Sequence, residues 1–218
     1  MARGFEQRFG VDVFETFAPV PRIETVRTML AVATIRKLFM LQFDIATAFL
    51  NGVVEEDIYL EPPESLEVPC EECLKLNKAL YGLKQVLKAW NQAFDRALSK
   101  LGFRKLDSDM CVYKHASLEV LLLIYVDDGI IIEETQEQCQ TIADGLSLEF
   151  KVRQMSGEMF LGIELIKTGH GTEISQRRYI DDLLRRFNMA DAKESPSFFY
   201  DLKNEPKISP VTTKAPYR

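Results

Sequence analysis

Residues Leu121 to Ile132 read LLLIYVDDGIII, two adjacent carboxylates inside a run otherwise fit for burial. Like charges about 4 Å apart repel by roughly 4 kcal/mol at an effective dielectric near 20, and burying an uncompensated carboxylate adds a further desolvation cost. Such a chain must return the acids to water or supply a compensating charge. Two readings meet that demand. Asp128-Gly129 between β-rich arms is a strong hairpin signal, because a primed turn needs residues that tolerate positive φ; Asp127, Asp128 and Gly129 would then be a turn with its acids in water. The other reading is a cation site.

The chain has 218 residues, 46% hydrophobic and 28% charged, enough for one large or two small units with a real core. No uninterrupted apolar stretch approaches about 18 residues, and MARGFEQRFG lacks a signal peptide's apolar centre. The expectation is an intracellular protein with no membrane partner. Four cysteines agree with a reducing compartment. Cys70 and Cys73 form a lone CxxC, half of a zinc site at most, and the two histidines, His115 and His170, do not complete it.

The net charge of −6 argues against polyanion binding taken as an average, but its distribution is uneven. Glu55 to Glu72 carries eight acids and no base; the next stretch bears Lys75, Lys78, Lys84, Lys88, Arg96, Lys100, Arg104 and Lys105 against Asp95 alone. A basic element after an acidic loop can face a polyanion or be a solvated helix face.

Apolar spacing predicts helices over Ile23–Lys37, over Lys84–Leu101 with Gly102 as C-cap, from an N-cap at Thr135 to about Phe150, and over Arg178–Phe187 with Ile180, Leu183, Leu184 and Phe187 buried. Strands are expected at Leu38–Asp44, near Cys111–Lys114, at Glu119–Val126 and Ile130–Glu133, and from Met159 to Ile166. After Asp191 the composition shifts to Ser, Pro, Lys and Asn without periodicity, and that end looks cut. The sum is α+β, an antiparallel sheet backed by helices.

Asp44 ends one apolar strand as Asp127 ends another. If the two strands are neighbours, their acids can converge on one edge, where a hard divalent cation would compensate them. Two Mg²⁺ ions about 3.5–4 Å apart can activate a hydroxyl and stabilise both oxygens of an in-line displacement. Adjacent strand residues point to opposite faces, so Asp127 is expected as the principal ligand and Asp128 as a peripheral or water-mediated one.

Read together, ARGFEQRFGVD, ETFAPV, LQFDIATAFLNG with EEDIYLEPP, KLNKALYGLKQ, YVDD, FLGIEL and SQRRYIDDLLRRF resemble the reverse transcriptase of copia-type long-terminal-repeat retrotransposons over nearly the whole chain. The resemblance implies a right-hand polymerase: partial fingers and palm over residues 1–190, and a truncated thumb or connection from 191 to 218. It implies a catalytic and metal-binding set of Asp44, Asp127 and Asp128 with the main-chain carbonyl of Ile45, and two Mg²⁺ ions, Mn²⁺ being possible. Phe49 would lie under the sugar of the incoming nucleotide and reject a 2′-hydroxyl; ordinary core is the alternative for it. Tyr81, Gly82 and Lys84 would line the nucleotide and templating pair, with Gly82 permitting close approach. Phe160, Leu161 and Gly162 would grip the primer, the alternative being a plain strand. The implied partners are an RNA or DNA template, a primer and dNTPs, and the implied location is a cytoplasmic virus-like particle or the nucleus.

The chain departs from the family in two places. Where the family follows LYGLKQ with a small residue, proline and Arg-Ala-Trp, this chain has Val86, Leu87, Lys88, Ala89 and Trp90; the stretch before FLGIEL is altered too, leaving Lys151 unassigned. Basic finger segments, protease, integrase and ribonuclease H regions are not in this sequence, so it reads as a polyprotein fragment or a decayed copy. The alternative function is an inactive remnant or nucleic-acid-binding module that keeps the palm fold.

Overall fold

An unbroken apolar run is stable inside a sheet only if both faces of that sheet are covered. The computed structural model describes residues 2–63, 66, 69, 72–168 and 171–192, and the chain forms two compact units, Met1–Gln176 and Arg177–Arg218. In chain order the first contains a 3₁₀ turn (Gly4–Glu6), α1 (Ile23–Ile35), β1 (Phe39–Ile45), a second 3₁₀ turn (Ala48–Asn51), β2 (Tyr59–Leu60), β3 (Leu74–Lys75), α2 (Val86–Lys100), β4 (Phe103–Leu106), β5 (Asp109–His115), β6 (Leu121–Tyr125), β7 (Asp128–Glu133), α3 (Gln136–Ser147), β8 (Val152–Gln154), β9 (Met159–Phe160), β10 (Ile163–Thr168) and β11 (Gly171–Ser175). The second opens with α4 (Arg177–Arg186).

Six strands make one antiparallel sheet in the order β4-β5-β6-β7-β1-β8. Small antiparallel sheets of β9–β11 and of β2–β3 accompany it, so the fold is α+β as expected. Alternation along β6 and β7 sorts side chains between two cores. Leu122, Ile124 and Ile131 join Trp90, Phe94 and Leu98 of α2 and Cys139, Ile142 and Leu146 of α3. Leu123, Ile130 and Ile132 join Val26 and Leu30 of α1 with Phe160, Ile163 and Leu165 of β9 and β10. Double coverage explains why LLLI and GIII are apolar at every position.

Local chemistry supports the helix ends. Gly102 follows α2 at φ +84°, its N–H bonded to the Ser99 carbonyl at 3.1 Å. The Thr135 hydroxyl accepts the Gln138 N–H at 3.2 Å and caps α3. That helix stops at Ser147, short of the expected Phe150.

Larger differences concern strands and coverage. The expected strand Met159–Ile166 is a hairpin: Leu161 (φ +51°) and Gly162 (φ +75°) turn the chain between Phe160 and Ile163, which pair. Short strands such as β4, β8 and β11 have too few residues to show periodicity. α4 forms as expected, but none of its residues is buried; Ile180 and Phe187 are exposed, and Leu183 and Leu184 half-buried. Helical spacing reports which side chains share a face and is silent on what covers it. Most of the expected thumb segment, residues 193–218, lies outside the described residues.

Gly129 is the packing constraint of this sheet. It pairs with Phe43 across β1 and β7, and a Cβ built on it would overlap the Phe43 ring, which is fully buried. Gly129→Ala is therefore expected to destabilise the fold by about 1–3 kcal/mol through overpacking. In a urea-denaturation double-mutant cycle with Phe43→Leu the two losses should be non-additive by at least about 0.5 kcal/mol; additivity would contradict this packing.

Candidate active site

The β6–β7 hairpin closes on the pair Tyr125–Asp128, which leaves Val126 and Asp127 as its two-residue loop. The two-residue loop is therefore two positions earlier than the Asp128-Gly129 signal suggests. Positive φ falls on Val126, at +57°, while Asp128 and Gly129 are strand residues. A β-branched residue is strained there. Both loop carbonyls are held: the indole N–H of Trp90 donates to the Val126 carbonyl at 2.6 Å, and the Ile45 N–H to the Asp127 carbonyl at 2.9 Å.

β1 lies beside β7 in the register Asp44 opposite Asp128. Directly opposed residues of an antiparallel pair share a face, so these two carboxylates are immediate neighbours, with Asp127 on the adjoining loop. The sheet thus brings Asp44, distant in the sequence, to the adjacent pair Asp127 and Asp128, and sets it opposite Asp128. On its other side Asp44 faces Arg153 of β8. All three acids are half-buried. Among the described residues none has a basic side chain within ion-pair distance.

Burial, then the charges of Asp127 and Asp44, push the Asp128 carboxyl above the usual range. Asp109 shows the opposite outcome for the same side chain. Burial opposes its charge too, but the Thr25 hydroxyl at 2.7 Å and the N–H groups of Cys111 and Arg22 outweigh it, and its pKa is held down. Asp128 is an acid whose charge lacks such compensation. Among the described residues no three Asp, Glu, His or Cys side chains already stand close enough to hold a metal ion. The donor types nevertheless fit one chemically: carboxylate oxygens of like charge, with Asp44 opposite Asp128 and Asp127 on the adjoining loop, suit a hard divalent cation. Cys73 is a free, exposed thiol, and Cys70, its CxxC partner, lies outside the described residues.

The expected nucleotide-binding residues form a second group. The Phe49 ring sits 4.9 Å from that of Tyr81, half-buried between two apolar clusters. Gly82, at φ +102°, does permit close backbone approach, and the group that approaches is Ala2: a Cβ on Gly82 would overlap the Ala2 carbonyl, and the Ala2 N–H donates to the Tyr81 carbonyl at 2.7 Å. Lys84 donates its ammonium to the Gln7 carbonyl at 2.9 Å and its backbone N–H to the Gln7 side chain at 2.8 Å. Phe160 is fully buried, and Leu161 lines an apolar cavity of about 430 Å³ with Pro21, Ile23, Val26 and Tyr125. Of the three primer-grip candidates Leu161 alone lines this space, across from Tyr125, the strand residue that precedes the acidic turn.

The basic stretch is substantially paired within the chain: Lys75 with Asp57, Lys88 with Glu15, Lys100 with Glu149 and Lys105 with Asp95. Sequence reasoning took Trp90 for ordinary core and passed over Arg153. The unpaired donor of a buried indole was a signal for the first; FKVRQ is too short to place the second.

These features define an α+β protein with a carboxylate site on adjoining strand ends. The family model for reverse transcriptase (RNA-dependent DNA polymerase) matches residues 1–197, and the chain belongs to that family of enzymes. It is 36% identical, over 98% of its length, to the retrovirus-related Pol polyprotein from transposon TNT 1-94 of Nicotiana tabacum, and 39% identical, over 88%, to that from transposon RE1 of Arabidopsis thaliana. A transposon Ty1-GR1 Gag-Pol polyprotein of Saccharomyces cerevisiae matches 58% of it at 27% identity. These relatives place the chain with the reverse transcriptase domains of copia-type retrotransposons. It spans 17%, 14% and 7% of their respective lengths. No solved structure matches it. Among the described residues no helix is long and apolar enough to cross a membrane.

The raised pKa of Asp128 sets a pH dependence. The folded state holds this proton more tightly than the unfolded chain, so the group's contribution to stability falls as pH rises from the unfolded carboxylate range through the raised value. Asp128→Asn removes that fall. In urea titrations without divalent cations the variant should be more stable than wild type near pH 7, and the difference should shrink toward about pH 4. A variant less stable at neutral pH would mean that the carboxylate is compensated after all.

Proposed function

We propose that this chain carries RNA-directed DNA polymerase chemistry, in which a primer 3′-hydroxyl attacks the α-phosphate of a dNTP and pyrophosphate leaves. The observation that carries the reading is the β1–β7 register, which sets Asp44 opposite Asp128 with Asp127 on the adjoining loop. In this reading the six-stranded sheet with α1 to α3 is the palm. Residues before α1, with the Phe49–Tyr81 region, belong to the fingers, and the thumb begins near residue 191.

Asp44, Asp127, Asp128 and the Ile45 carbonyl would hold two Mg²⁺ ions, with Mn²⁺ as a substitute. When bound, such ions supply Lewis-acid polarisation of the phosphate and a lowered pKa for the attacking hydroxyl. The chain's own part is orientation: rigid strand ends fix the carboxylates, so that little reorganisation is needed as the reaction proceeds. Phe49 excludes the 2′-hydroxyl of a ribonucleotide, Tyr81, Gly82 and Lys84 border the nucleotide and templating base, and the Phe160–Leu161–Gly162 turn seats the primer end. Template, primer and an intracellular particle or nuclear setting follow for the whole polyprotein.

A second reading, a palm fold that turns nothing over, is favoured by one contact: the backbone of Ala2 already occupies the approach to Gly82. Primer extension on an RNA template with a DNA primer and Mg²⁺ separates the two. Asp44→Asn and Asp127→Asn are each expected to abolish extension while leaving the circular dichroism unchanged; extension surviving in either would sink the polymerase assignment. Mg²⁺ at about 100 times its Kd should stabilise wild type by roughly 2.7 kcal/mol and both variants less.

Phe49→Val should raise the relative incorporation of ribonucleotides, by up to about 10²-fold if the ring contacts the sugar. Unchanged discrimination in competition assays would return Phe49 to the core.

A further inference from the structure

We propose that Trp90 is a positioning residue for the acidic turn: from α2, its indole N–H holds the Val126 carbonyl and so fixes the backbone that presents Asp127 and Asp128. The catalytic consequence rests on the polymerase reading above, whereas the geometry does not.

Trp90 is the single tryptophan of the chain and is fully buried. Its ring is wedged between Phe94, at 5.4 Å, and Phe150, at 5.1 Å edge-on. A side chain so enclosed cannot swing to find a partner. Indole carries one polar hydrogen and no acceptor, and a buried donor requires an acceptor. The one it has is a carbonyl in the loop between Tyr125 and Asp128, at 2.6 Å. If the position only needed bulk, phenylalanine would serve and would leave that carbonyl unbonded.

The held residue is the strained one. Val126 stands at φ +57°, a conformation that a β-branched residue keeps only where its surroundings over-determine it. The second loop carbonyl, that of Asp127, is held at 2.9 Å by the N–H of Ile45, next to Asp44. The loop is therefore clamped from α2 on one side and β1 on the other. Releasing the α2 clamp lets Val126 relax toward negative φ, which re-aims the peptide carrying Asp127. Glycine takes positive φ without strain, so Val126→Gly should make the clamp dispensable.

The test uses the full chain as wild type, Trp90→Phe, Val126→Gly and the double variant. Backbone amide NMR reads the turn, and steady-state primer extension reads its consequence. In Trp90→Phe the core amides should stay in place while cross-peaks of residues 125–129 shift or double. Its kcat should fall by up to about 10²-fold, with the KM for dNTP changed by no more than about twofold. The double variant should regain one set of turn peaks and most of kcat. Unmoved turn peaks in a folded Trp90→Phe would overturn the proposal, as would a loss that Val126→Gly does not repair. A wild-type chain that extends nothing would count against the polymerase reading, with the NMR comparison still deciding the role of Trp90. If Trp90→Phe does not fold, exchange of the lone indole proton in wild type decides: slow exchange supports the clamp and fast exchange overturns it.

Discussion

The structure depends on the pairing of β1 with β7. These strands come from opposite sides of α2 and five other strands in the chain, and nothing local brings them together. Their register is set where Phe43 lies over Gly129 and its neighbours alternate between two cores. A slip of one residue would move every apolar side chain to the wrong face. The same register that protects the core leaves Asp44 opposite Asp128 at the sheet's end. The carboxylate site is thus a by-product of packing that the fold cannot avoid while β1 and β7 remain paired.

That site carries an electrostatic debt left open by the rest of the chain. Asp109 shows how a half-buried aspartate is ordinarily compensated, with a hydroxyl and backbone N–H groups turned toward it. Elsewhere Lys75, Lys88, Lys100 and Lys105 reach acids of their own. Asp128 has neighbours of its own sign and no such donors. The contrast is what supports the cation-dependent reading proposed above: a raised carboxyl with neighbours of its own sign lacks the compensation that Asp109 has.

Much of this was legible without coordinates. Long amphipathic helices announced themselves because three or more turns of apolar spacing accumulate signal, and Thr135 and Gly102 marked ends with recognisable cap chemistry. Asp44 stood out as an acid closing an apolar strand. Less legible were features made of two to five residues: β4, β8 and β11, the Leu161–Gly162 turn, and the placing of the hairpin loop on Val126 and Asp127. Asp-Gly favours a turn, but Gly129 is required for contact with the Phe43 ring, and that contact lies across the sheet. α4 kept its periodicity, although none of its residues is buried.

By itself the sequence determined the helices, the apolar strands, the acids that close them, and the family to which those motifs belong, because each is written in residues close together along the chain. The tertiary structure alone decided which acids are neighbours, that Trp90 bonds the strained loop at Val126, and that Ala2 lies against Gly82. Those facts depend on strand order and register, which arise when two faces of one sheet are buried at once, and no local stretch of residues encodes that requirement.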